Sequence, residues 1–77
     1  MKLRDYAIQN GLTMQKLADL TKVSKSQLYY LDRFDNPEIK MDTMVKIYHG
    51  TKRKFGKGLQ PNTYLKGFDR EVFAIVD

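Results

Sequence analysis

The stretch "LADLTKVSKSQLYYL", residues 17–31, sets two leucine-bearing runs on either side of a break that holds neither glycine nor proline. Ahead of the break, Met14, Leu17, Ala18 and Thr21 recur at i, i+3, i+4 and i+7, the period of one face of an α-helix. Thr13 offers the hydroxyl that caps its start. Behind the break, Ser24-Lys25-Ser26-Gln27 has the pattern of a capping box, in which the Ser24 hydroxyl accepts from the Gln27 amide and Gln27 reaches back to the Ser24 amide. A further helix therefore starts at Ser24. Leu28 and Leu31, three apart, face inward, and Lys25, Ser26, Gln27, Tyr29, Tyr30 and Arg33 are left for the other faces. Ala18 is small where the two helices approach most closely, and Val23 plugs the turn. One apolar seam thus holds both helices and leaves the outer face of the second free.

Upstream, "KLRDYAIQN" (2–10) puts Leu3, Tyr6 and Ala7 on one helical face, with Gly11 where a left-handed C-terminal cap belongs. Downstream, Phe34-Asp35-Asn36-Pro37 reads as a loop. "MDTMVKIYHGTKRKF" (41–55) then aligns Met41, Met44, Val45, Tyr48 and Phe55 as one stripe, with Gly50 expected to weaken or bend the helix by about 1 kcal/mol relative to alanine. Tyr48, Phe55 and the methionines are expected in the packing. Gly56 to Gly58 should end this helix, and Pro61 can open a short turn through Leu65 that Gly67 closes. The final "REVFAIVD" carries a strand signal in an otherwise helical chain. The expected fold is all-α: a compact bundle of about five short helices, plus a short C-terminal extended or β segment. Residues 1–67 form the domain and 68–77 an extension, which either pairs as a strand with its copy in a second subunit or lies as a tail over the helices.

Seventy-seven residues allow one small core, burying only about 60% of the surface of the unfolded chain. The absence of cysteine rules out a disulfide scaffold and thiolate metal sites and suits a reducing, cytoplasmic compartment. His49 stands alone, without a second histidine or paired carboxylates, so neither a metal centre nor a base–nucleophile pair is expected. No cofactor is implied, and the chain does not read as an enzyme. No apolar run approaches a bilayer span. Fourteen Lys and Arg against nine Asp and Glu give a net charge of +5, and between Lys40 and Lys66 Asp42 is the only acid. Polyanions are the partners such a balance favours, nucleic acid before an anionic membrane.

Two short helices joined by a turn of about 3–4 residues form a helix-turn-helix, whose second helix enters the major groove of DNA. Residues 11–33, "GLTMQKLADLTKVSKSQLYYLDR", resemble the DNA-binding segment of the XRE family, the group of lambda-type repressors and Cro proteins. The resemblance is carried by the Leu-Thr start, the Leu17-Ala18 pair, Val23-Ser24, and Leu28 with Leu31, and extends from Leu3 to Tyr48. It departs from the family where Lys22 replaces a turn glycine, where Met14 replaces a glutamine, and where Ala7 and Asp32 replace an arginine–glutamate pair. Asp32 is left to use Arg4 or no partner. The glycine that usually follows the recognition helix is also replaced near Phe34.

The resemblance implies a sequence-specific regulator of duplex DNA, a repressor of phage, prophage or plasmid type acting as a homodimer by occupying its operator. Lys25, Ser26, Gln27, Tyr29, Tyr30 and Arg33 are the candidates for base contacts, since glutamine suits adenine and arginine or lysine suit guanine. Thr13, Gln15, Lys22, Ser24 and Asn36 are candidates for phosphate contacts. Lys52, Arg53, Lys54 and Lys57 either bind flanking backbone or form a solvated face. Two other functions use the same features: a recombination-directionality factor that bends DNA, and an antitoxin or inhibitor that grips a second protein.

Overall fold

The computed structural model describes residues 2–34 and 37–73. Five helices follow one another: α1 (Leu3–Gln9), α2 (Met14–Thr21), α3 (Lys25–Arg33), α4 (Met41–Phe55) and α5 (Pro61–Tyr64). The radius of gyration of 11.2 Å matches the about 11.5 Å expected when a chain of this length packs around one core. No helix among the described residues is long and apolar enough to cross a membrane.

Local chemistry sets the helix ends. At the end of α1 the Leu12 amide donates to the Ala7 carbonyl (2.8 Å) and the Gly11 amide to that of Ile8 (3.1 Å), with Gly11 left-handed at φ +69°. This is a Schellman cap. The start of α1 has no cap from its own neighbours. The Arg4 amide is instead satisfied by the Asp32 carboxylate of α3 at 3.0 Å, so Asp32 uses the backbone of Arg4 and not its guanidinium. Thr13 caps α2 through the Lys16 amide (3.1 Å), and Ser24 caps α3 through that of Gln27 (3.1 Å). Between these helices Lys22 takes φ +61°, the left-handed conformation that the turn requires.

Leu3, Ala7, Met14, Leu17, Ala18, Val23, Leu28 and Leu31 are buried in one core with Met44, Ile47 and Tyr48 of α4. Each large aliphatic side chain placed there contributes roughly 1.5–3 kcal/mol of burial. The stripe on α4 differs from its sequence period at both ends. Met41 is 54% exposed and Phe55 is partly exposed, its ring edge-on to that of Tyr6 at 6.4 Å. The helix runs on through Gly50, which serves close approach: a Cβ there would stand 2.6 Å from the Leu20 carbonyl oxygen and 2.7 Å from the Thr21 Cα.

Gly56, left-handed at φ +79°, ends α4. Thr51, fully buried, then ties down the returning chain. Its hydroxyl accepts from the Leu59 amide at 2.7 Å and donates to the Ile47 carbonyl at 2.8 Å. After α5, Phe68, Val72 and Phe73 pack on the same core. Gln60 Oε1 accepts from both the Val72 and Phe73 amides (3.1 and 2.9 Å), and the Phe73 ring lies 4.7 Å from that of Tyr48. No strand occurs among the described residues. The beginning of the strand-like segment is therefore irregular chain folded over the helices, because Gln60 takes the amides a ladder would use; Ala74 to Asp77 lie outside the described residues.

Candidate nucleic-acid interface

Leu28 and Leu31 are essentially without exposure, which fixes how α3 is rotated. At about 100° per residue, Ser26, Tyr29, Tyr30 and Arg33 fall within about 50° of the direction pointing straight away from that seam. They form the crest of the helix, and all four are exposed. Lys25 and Gln27 stand on its two flanks. The Lys25 ammonium lies 6.0 Å from the centre of the Tyr29 ring, at the limit of a cation–π contact. The Tyr30 ring rests against that of Phe34, 5.2 Å between centres.

Beside α3 an open cleft of about 660 Å³ runs between the turn and the start of α4, bordered by Lys22, Ser24, Gln27 and Tyr30 on one side and Lys40 and Lys46 on the other. The first turns of both α3 and α4 line it, so the positive ends of two helix dipoles add to the potential of the lysines. Among the described residues Glu38 is the one acid on its rim, and Asp42 pairs with Lys46 at 3.3 Å, an exposed ion pair. Such pairs are weak and easily exchanged. Chemically the cleft is a cradle for an anion. The far side of the crest opens on a smaller hollow of about 480 Å³ lined by Ser26, Tyr29, Tyr30, Asp32, Arg33 and Phe34.

Of the expected site residues, the structure gathers Lys22, Ser24, Lys25, Ser26, Gln27, Tyr29, Tyr30 and Arg33 around α3. Ser24 and Gln27 form the first arm of the capping box, while the Gln27 side chain lines the cleft. Thr13 and Gln15 lie at the other end of α2 from Lys22 and do not border the cleft. The Thr13 hydroxyl is engaged as a cap, and Gln15 donates to the Asp19 carboxylate at 3.1 Å. Asn36 lies outside the described residues. Lys52, Arg53 and Lys54 occupy the last turn of α4, at the far end of a helix about 22 Å long. There they complement the negative end of its dipole, and Lys52 lies 5.7 Å from the Tyr48 ring. Lys57 follows them beyond Gly56, away from the cleft.

Lys40, Lys46 and Phe34 were absent from the sequence-derived site and now belong beside it. Phe34 follows Tyr30 by four residues, a spacing that foretells a pair on one helix face. Nothing local signals the lysines, since only packing brings the start of α4 next to that of α3. No protein-family model, curated protein or solved structure matches the chain.

Proposed function

We propose that the chain is a sequence-specific duplex-DNA-binding regulator of XRE type, working in the cytoplasm as a homodimer and acting by occupying its operator. The observation that carries this reading is the crest of α3: a helix clamped by Leu28 and Leu31 whose opposite side is polar, aromatic and uncovered. The neighbouring cleft supports it, because the lysines and helix starts there suit phosphates along the rim of a groove. Phosphate contacts supply affinity, and base-edge contacts from α3 supply selectivity.

Selection of bound sequences from a random duplex library, at two salt concentrations, tests the proposal. A single preferred motif is expected, with affinity falling by roughly 10³ or more between 50 and 200 mM salt if six or more phosphates are neutralised. Joint replacement of Lys25 and Ser26 by alanine should abolish the motif while leaving thermal unfolding unchanged. Survival of the same motif in that variant would contradict the assignment of α3 as the reading helix.

A further inference from the structure

Among the exposed apolar side chains of the described residues, three gather on one stretch: Tyr29 (45% exposed), Tyr30 (39%) and Phe34 (46%). They continue the crest of α3 toward its C-terminal end. Tyr30 and Phe34 hold each other in place through their 5.2 Å ring contact. Aromatic rings of this kind are stiff, with two side-chain torsions each, so little freedom is lost when they are covered. Around them the chemistry suits a nucleic-acid groove. Arg33 stands next to them on the crest, and among the described residues that line the hollow the one carboxylate, Asp32, accepts from the Arg4 amide of α1.

A phenyl ring has no donor or acceptor with which to read the polar edges of guanine, cytosine or adenine. The one apolar group displayed in the major groove is the C5 methyl of thymine. Building on the regulator reading above, we infer that the Tyr30–Phe34 ledge is a specificity element that packs against thymine methyl groups. The half-site therefore carries thymine where the C-terminal half of α3 lies in the groove, and Phe34, beyond the last helical residue, takes part in reading it.

The experiment alters the DNA and leaves the protein intact. In the motif selected as above, each thymine is replaced singly by deoxyuridine, which deletes only the methyl, and affinity is measured for the wild-type chain and for Phe34→Ser and Tyr30→Ser. For the wild type at least one thymine per half-site should show a loss of about four-fold on removal of its methyl, the effect of burying one such group. In the serine variants that loss should shrink toward none. Indifference to deoxyuridine at every position, or an equal loss in wild type and variants, overturns the inference while leaving the regulator reading in place. Conversion of a dimer to a monomer by Phe34→Ser in sedimentation would also overturn it, by assigning the ledge to contact between copies. An absence of any preferred motif would remove both readings together.

Discussion

Lys22 shows how one residue can serve two opposed demands. Its left-handed backbone, φ +61°, is strained by about 1 kcal/mol or more for a side chain bearing a Cβ, whereas glycine adopts it freely. Lys22 also borders the cleft beside α3. Lys22→Gly should therefore raise stability in chemical denaturation, by up to about 1 kcal/mol once the extra freedom of glycine in the unfolded chain is counted. On the proposed function, the same change should weaken DNA binding, as read by titration. At this scale much was legible beforehand. Thr13 and Ser24 cap their helices because a short hydroxyl side chain can reach only amides a few residues away, and that reach is written in local spacing. The partner of Asp32 was legible to the residue but not to the atom, because an unpaired amide at the start of α1 becomes its target only once α1 and α3 are packed.

Between elements, the crossing of α2 and α4 is decided by Gly50. Alanine there gains about 1 kcal/mol of helix propensity. It also drives a methyl against the Leu20 carbonyl and Thr21 Cα, backbone atoms that have no rotamer to yield. The collision outweighs the gain, so Gly50→Ala should lower stability by about 1–3 kcal/mol, measured as a shift of the urea midpoint. Periodicity alone predicted a helix weakened at this point, because it counts propensity and is blind to neighbours. The same blindness explains Met41, which has the right phase but sits at the first position of α4, and Ile47 and Thr51, which are buried yet fell outside the stripe read from the sequence. Hydrophobic phase identifies a face; only the neighbouring helix determines what length of that face is covered.

For the molecule as a whole, two tyrosines link folding to alkaline pH. Burial pushes the Tyr64 hydroxyl well above its usual pKa, and its oxygen has no hydrogen-bond partner among the described residues. Tyr6 is also raised, by burial first and with a smaller opposing effect from Thr51. Each pKa is higher in the folded state, so the native chain holds protons that the unfolded chain releases above about pH 10. The contribution is complete below that pH and is lost as pH rises toward the folded values. The melting temperature should accordingly fall above about pH 10. Tyr64→Phe should flatten the decline and, by deleting an unpaired buried hydroxyl, be at least as stable at neutral pH. The C-terminal segment was the least legible part at this scale: β-branched and aromatic residues signal a strand, yet Phe73 finds Tyr48, and the acceptor for its amide is a glutamine side chain thirteen residues earlier. Thr51 carries a practical implication for engineering. Because one enclosed oxygen fastens α4 to the chain that returns after it, a chimaera spliced after Phe55 would sever that fastening and should lose stability even though the helix itself is kept whole.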